Sequence, residues 1–172
     1  ARGNSRRKRL SKEYRRRILS SNSIKPWRLV LLGDGIERSV LEQLIEAEKI
    51  QGVSIPGYIQ IEDLPVYYGL ANVFIHPTFQ DTWGLVVNEA MAAGLPVLVS
   101  KRAGCVHDLV QEGTNGFTFH PDDINTMTEL MLLMSSGQLN IKDMGKASRD
   151  LISEWGLDRF SNGIYQAFLA TN

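Results

Sequence analysis

The chain of 172 residues contains a single cysteine, Cys105, and no long apolar run. One cysteine excludes a disulfide framework and a cysteine-based zinc site, and it favours a reducing, cytoplasmic setting. No stretch approaches the ~20 apolar residues of a membrane-spanning helix, and the first residues lack the apolar segment of a secretory signal. The remaining composition, 43% apolar and 22% charged, is typical of a globular protein.

Histidine is also scarce, and its three copies show no metal-binding pattern. His76, His107 and His120 have no i, i+4 pairing and no cluster of cysteines around them. Two adjacent acids, Asp122 and Asp123, come directly before an amphipathic stretch and are typical of a helix cap. The sequence therefore predicts no metal site and no resident cofactor.

Positive charge is concentrated at one end, although the formal net charge is zero. The first seventeen residues carry nine basic side chains and one acid, whereas the other 155 carry ten basic and eighteen acidic. Residues 1–25 are therefore predicted to be a basic extension, with a helix over about 5–20 that has Leu10, Tyr14 and Ile18 on one face. This apolar face favours packing, with peripheral contact to a membrane surface as the alternative. Nucleic acid is not an expected partner, because no aromatic residues alternate with the charges.

Over residues 26–172, short apolar stretches alternate about five times with amphipathic ones. This alternation predicts one α/β domain with a Rossmann-like, mostly parallel sheet and helices on both faces. Strands are predicted at 27–32, 53–55, 73–75, 96–99 and 117–119, and helices at 36–49, 62–70, 83–93, 104–111, from 123, 141–155 and 157–169.

A glycine-rich turn follows the first predicted strand. Gly33 and Gly35 match the first two glycines of G-x-G-x-x-G, but the third position is Arg38, so the dinucleotide-binding fingerprint fails. A dehydrogenase-like domain is therefore disfavoured. The two glycines still permit either a tight turn or a close approach of the backbone to a ligand, and both interpretations stay open.

The strand–loop–helix–strand unit over residues 71–100 is the centre of the predicted site. Open α/β sheets bind ligands at loops that leave the carboxyl ends of their strands. The first N–H groups of a helix bind anions, which suggests a phosphate near Gly84, Leu85 and Val86. The carboxylates of Asp81 and Glu89 are suited to accept hydrogen bonds from sugar diols. Phosphates between two polyols describe a nucleotide sugar.

A purely structural alternative explains the same residues. Asp81 or Thr82 would cap the helix, a common arrangement worth ~1 kcal/mol, and Glu89 would face solvent. His76 and His107 are interpreted mainly as packing residues, with ligand contact as the lesser alternative. The chemistry of the residues alone leaves both interpretations open.

The string HPTFQDTWGLVVNEAMAAGLPVLVS, residues 76–100, resembles a known family. It is similar to the Glu-x7-Glu, Phe-Gly-Leu and Glu-Ala-Met-Ala-x-Gly-x-Pro-Val string of retaining glycosyltransferases of group 1, family 4 type. LVLLGDG at 29–35 and AGCVHDLVQEGTNGFTF at 103–119 match in the same order. The resemblance covers about 26–160 and implies the C-terminal, donor-binding half of a GT-B fold.

The resemblance also implies roles for individual residues. Asp81 and Glu89 would be the catalytic acids, with Glu89 also holding the donor ribose and Asp81, one methylene shorter than the usual glutamate, facing the donor sugar. Other residues implied to bind the donor come from two regions of the chain: Gly33, Gly35, Tyr58 and Ile59 from the first, and Thr82, Trp83, Gly84, Leu85 and Val86 from the second.

The function implied is metal-independent, retaining transfer of a hexose from a nucleoside-diphosphate sugar to an unidentified acceptor. The acceptor-binding N-terminal domain of the family and its phosphate-gripping first strand are not recognisable in this sequence. The chain is therefore predicted to be a fragment or one half of a split enzyme, and to be inactive alone. The alternative is a catalytically inactive, glycosyltransferase-like interaction module.

Overall fold

The structure, a computed structural model, describes residues 27–171. The chain divides into two compact units, one up to Asp63 and one from Leu64. The helix expected over 5–20 and the predicted boundary after residue 25 lie outside the described residues. Strands and helices alternate, and every strand pairing within the described range is parallel, which confirms the predicted α/β class.

The first unit contains β1 (Leu29–Leu32), α1 (Arg38–Ala47) and β2 (Val53–Gly57), with the two strands paired in parallel. The predicted end of the second strand at residue 55 was wrong, because β2 continues through Pro56 to Gly57. Proline cannot donate to a ladder and is confined to edges and irregular positions of sheets. The register shifts between Val30 and Leu32, opposite this part of β2, and Gly33 N–H then donates to the Gly57 carbonyl at 2.9 Å.

Arg38, which replaces the third glycine of the dinucleotide fingerprint, has a structural role in this unit. Its guanidinium is 3.1 Å from an Asp34 carboxylate oxygen, 2.9 Å from one of Glu42 and 3.3 Å from the Ile55 carbonyl. It therefore joins the start of α1 to the preceding turn and to β2. A Cβ on Gly57 would lie 2.6 Å from the same guanidinium, so a larger residue there would displace the Arg38 side chain.

The second unit is built on a three-stranded parallel sheet in the order β3-β4-β5. All four residues of the central strand are buried, as expected for an apolar run flanked by strands on both edges. Its elements, in chain order, are α2 (Leu64–Leu70), β3 (Phe74–His76), α3 (Leu85–Ala92), β4 (Val97–Ser100), α4 (Val106–Leu109), β5 (Gly116–Phe119), α5 (Ile124–Ser135), α6 (Ile141–Ser153) and α7 (Leu157–Ala170).

Alternate residues of β4 belong to two different apolar clusters. Val97 and Val99 pack with buried residues of α3 and α4, whereas Leu98 packs with Phe119 of β5 and Met134 of α5. Successive side chains of a strand point to opposite faces of its sheet. Helices therefore cover both faces of this sheet, as the sequence predicted.

One helix start and one helix end show how local chemistry sets the boundaries. Asp123 accepts a hydrogen bond from the Thr126 N–H at 3.0 Å, which confirms the predicted cap of α5. The helix predicted over 104–111 was too long, since α4 is a single turn. The buried Asn115 side chain accepts from the Gln111 N–H and donates to the Leu109 carbonyl, both at 2.8 Å, and these bonds end the helix.

No helix within 27–171 combines the length and the apolar content needed to cross a bilayer.

Candidate functional site

Two loops of the second unit lie against each other at the carboxyl ends of β3 and β4. We call residues 77–84, between β3 and α3, and residues 101–105, between β4 and α4, the paired loops. Three backbone hydrogen bonds join them: Asp81 N–H to the Arg102 carbonyl at 3.4 Å, Gly104 N–H to the Asp81 carbonyl at 3.0 Å, and Cys105 N–H to the Trp83 carbonyl at 2.9 Å. The predicted site loop is therefore part of a two-loop structure.

Asp81 uses both carboxylate oxygens inside this structure. Oδ1 accepts the Trp83 N–H at 3.1 Å, and Oδ2 lies 3.0 Å from His76 Nε2. Because a carboxylate only accepts, Nε2 carries the proton in this bond. His76 is therefore a partner of Asp81, and each carboxylate oxygen keeps lone-pair capacity for a further donor.

Gly84 connects the loop to α3 in a conformation that favours glycine. Its φ is +96°, and a Cβ there would lie 3.4 Å from Cys105 Sγ and 3.6 Å from His76 Nε2. No side chain caps α3, so the structural alternative in which Asp81 or Thr82 is the cap was wrong. The N–H groups of Leu85 and Val86, at the start of the helix, have no acceptor within the helix itself.

Glu89 lies on the exposed side of α3, and one of its oxygens is held. The Tyr68 hydroxyl of α2 donates to Glu89 Oε2 at 2.8 Å, whereas Oε1 has no hydrogen bond within residues 27–171. Partial burial, together with the bond to the Glu89 carboxylate, raises the pKa of Tyr68, so this hydroxyl stays protonated in neutral solution. Sequence reasoning missed Tyr68 as an individual residue, because it is 21 positions from Glu89.

Trp83 packs inward from the paired loops. Its Nε1–H donates to Asn88 Oδ1 at 2.9 Å, and its ring lies 5.6 Å from that of Trp155, centroid to centroid. Both rings are partly buried and pack against the buried cluster around α3. The indole of Trp83 is thus part of the scaffold, and its backbone is the part that belongs to the loop.

The remaining predicted site residues belong to the first unit. Gly33 has a φ of +120°, a backbone conformation that favours glycine, and both interpretations of the glycine-rich turn stay open. Gly35 N–H donates to Asp34 Oδ1 at 2.8 Å, and a Cβ on Gly33 or Gly35 would meet nothing within 4 Å. Tyr58 is 71% exposed and Ile59 is half-buried. Ligand contact by these four residues stays a prediction.

The histidines and acids of the described residues do not cluster. Within 27–171 no group of three histidine, cysteine, aspartate or glutamate side chains is close enough to hold a metal ion. His107 and His120 are exposed, so the interpretation of His107 as a packing residue was wrong. The polar groups assembled at the paired loops are therefore carboxylates, one imidazole and backbone amides.

Cys105 is expected to be unreactive in the folded chain. Its side chain is fully buried, and this burial raises the pKa of the thiol to about 11, so roughly 100-fold less thiolate forms at pH 8 than for an ordinary cysteine. Iodoacetamide labelling followed by mass spectrometry should be complete in urea while the native chain remains unmodified. Equal labelling rates in the two conditions would contradict the burial of Cys105 beside Gly84.

Comparison with known proteins identifies the family to which this α/β chain belongs. A family model described as glycosyl transferases group 1 matches residues 10–151. The chain therefore belongs to the group 1 glycosyl transferase family, and the family predicted from the sequence is confirmed.

Similar proteins are longer than this chain. Sulfoquinovosyl transferase SQD2 of Arabidopsis thaliana is 36% identical over 127 residues, which cover 72% of this chain and 24% of that protein. Alpha-monoglucosyldiacylglycerol synthase of Acholeplasma laidlawii is 34% identical over 98 residues, covering 56% and 24%. The chain thus spans about a quarter of the length of these two relatives.

Solved structures with the same fold agree with the family. Sucrose-phosphate synthase from Thermosynechococcus elongatus matches with a TM-score of 0.70 at 26% identity, covering 84% of this chain and 39% of that one. The C-terminal domain of a group 1 family glycosyl transferase from Francisella tularensis matches with 0.68 at 18% identity, covering 82% and 75%. HepE of Anabaena, solved in complex with UDP, matches with 0.72 at 21% identity, covering 84% and 41%. The last two likenesses, below 25% identity, concern the fold alone.

Proposed function

We propose that this chain is the donor-binding domain of a retaining, metal-independent glycosyltransferase that transfers a hexose from a nucleoside-diphosphate sugar. The observation that carries the proposal is the position of Glu89. Its carboxylate is exposed on α3, one oxygen is held by Tyr68 and the other has no partner within the described residues. A carboxylate prepared in this way is suited to accept hydrogen bonds from the ribose diol of a nucleotide.

The start of α3 supplies the chemistry proposed for the diphosphate. The N–H groups at Gly84, Leu85 and Val86 and the positive end of the helix dipole favour an anion there. In the proposed reaction the bond between the anomeric carbon and the diphosphate oxygen breaks. The acceptor hydroxyl oxygen bonds to that carbon on the same face and gives up its proton to the leaving diphosphate. The protein would orient the sugar hydroxyls, with Asp81 as one acceptor, and stabilise the charge on the leaving diphosphate.

The rest of the enzyme completes the proposal. The acceptor-binding domain would lie in a part of the protein outside this sequence or in a second chain. The proposed location is cytoplasmic, with peripheral membrane contact through the basic residues of 1–17.

Calorimetric titration with UDP, GDP and ADP tests this function. One nucleotide should bind the wild-type chain, and Glu89→Ala should weaken that binding by roughly 2–3 kcal/mol, because two hydrogen bonds to a charged acceptor are lost. Glu129→Ala, which removes an exposed glutamate of α5, is the matched control and should leave the affinity unchanged.

One observation favours the second candidate, a non-catalytic interaction module. Both oxygens of Asp81 are already hydrogen-bonded within the protein, to His76 and to the Trp83 N–H, as in a residue that organises a loop. If no nucleotide binds at millimolar concentration, the donor-domain proposal fails and the interaction module takes its place.

A further inference from the structure

Three aromatic rings of the second unit form a column beside the proposed donor site. We call Tyr68 of α2 and Phe74 and His76 of β3 the aromatic column. The Tyr68 and Phe74 centroids are 5.9 Å apart, and those of Phe74 and His76 are 6.3 Å apart with nearly parallel planes. Phe74 and His76 are two positions apart on one strand, so they share a face of the sheet.

Each end of the aromatic column contacts one of the two candidate carboxylates. The Tyr68 hydroxyl donates to Glu89 Oε2 at 2.8 Å, and His76 Nε2 lies 3.0 Å from Asp81 Oδ2. The two acids are thus linked to opposite ends of one run of ring contacts, although they belong to a loop and to a helix. A structural explanation of Tyr68 alone would require only its ring, which contacts Phe74, and not its hydroxyl.

We propose that Tyr68 is a positioning residue, which holds the Glu89 carboxylate in the orientation that accepts the ribose hydroxyls of the donor. This inference rests on the proposed function, since it concerns the same site. The Tyr68 hydroxyl selects one rotamer of an exposed glutamate through a charge-assisted hydrogen bond. A side chain ordered before the ligand arrives loses less conformational entropy on binding.

The surroundings of Tyr68 keep its hydroxyl in place as a donor. Its ring is partly buried and packs on Phe74, whose backbone N–H donates to the Pro96 carbonyl at 3.0 Å. The pKa of Tyr68 is raised, first by burial and then by Glu89, so deprotonation does not break the bond in the neutral range. Glu89 Oε2 therefore accepts the hydrogen bond from Tyr68, and Oε1 is the oxygen presented to a ligand.

Tyr68→Phe tests the inference, because it removes the hydroxyl and keeps the ring against Phe74. The probes are UDP and 2′-deoxy-UDP, or the matching pair for whichever of GDP and ADP binds. We expect Tyr68→Phe to weaken ribonucleotide binding about 10-fold, the usual effect of losing one hydrogen bond to a charged group. The 2′-deoxy nucleotide keeps one hydroxyl of the diol, so Tyr68→Phe should weaken its binding less, by about 3-fold.

Tyr67→Phe is the matched control from the same helix. Tyr67 is also partly buried, and no hydrogen bond of its hydroxyl is found within the described residues. The Tyr67→Phe variant should bind both nucleotides with the affinity of the wild-type chain. Thermal denaturation of the three chains checks that each is folded under the titration conditions.

The outcomes separate the inference from the function on which it rests. Equal weakening of both probes by Tyr68→Phe would make the residue merely structural and overturn the inference alone. Unchanged affinity for the ribonucleotide would overturn it as well. Failure of the wild-type chain to bind any of the three ribonucleotides would overturn the proposed function, and the inference with it.

Discussion

Gly104→Ala is expected to separate the paired loops and to abolish the proposed donor site. A Cβ on Gly104 would overlap the Thr82 carbonyl and lie 3.3 Å from the Trp83 Cα. These are backbone atoms, so no side-chain rotation relieves the clash. We expect a loss of about 2–4 kcal/mol in the free energy of unfolding, from overpacking and from the broken loop hydrogen bonds. Urea denaturation followed by tryptophan fluorescence measures it.

Gly163→Ala is the control for this substitution. Gly163 lies within α7, and a Cβ there would meet nothing within 4 Å. Alanine in a helix interior is more favourable than glycine by roughly 0.5–1 kcal/mol, so this variant should be slightly more stable than the wild type. Wild-type stability and nucleotide binding in Gly104→Ala would show that the loops do not pack as described.

Phe119→Ala is expected to have a similarly large effect through the core alone. Phe119 is 1% exposed and packs with Leu98, Met134 and Met144 on one face of the sheet. Removing a buried phenylalanine leaves a cavity and typically lowers the free energy of unfolding by about 3–5 kcal/mol. The midpoint of urea denaturation should fall accordingly.

The matched control is Phe160→Ala on α7, where the ring is 68% exposed. A substitution at an exposed position away from the core usually changes stability by less than about 0.5 kcal/mol. Equal destabilisation by Phe119→Ala and Phe160→Ala would contradict the assignment of Phe119 to the core. Phe119 is on β5, whereas the proposed site is built on β3 and β4. Phe119→Ala should therefore lower the free energy of unfolding more than it weakens nucleotide binding.

The position of the paired loops explains why a buried strand matters for the site. β4 ends at Ser100, and the hydrogen-bonded loop segment 102–105 follows it within two residues. The loop from β3 is held against this segment through Asp81 and Trp83. The geometry of Asp81 and Gly84 therefore depends on the packing of β4, and not only on the residues of their own loop.

Elements with strong local signals were predictable. The apolar run at 96–99 became β4, offset by one residue, because an unbroken apolar stretch is favourable only where both faces are covered. Asp123 was predictable as a cap, since its side chain satisfies an N–H three residues away. The single-turn length of α4 was not predictable, because it depends on Asn115, a residue beyond the helix.

The sequence by itself determined the family, the α/β alternation and the two candidate acids, Asp81 and Glu89, because these depend on residue order and spacing. Tertiary structure alone decided what those acids contact. Tyr68 of α2 reaches Glu89 of α3 across 21 positions, and Asp81 is brought back to His76 by the loop that follows β3. Side chains distant in sequence become hydrogen-bond partners only when packing brings them together. Their spacing along the chain does not predict how close they lie in the folded protein.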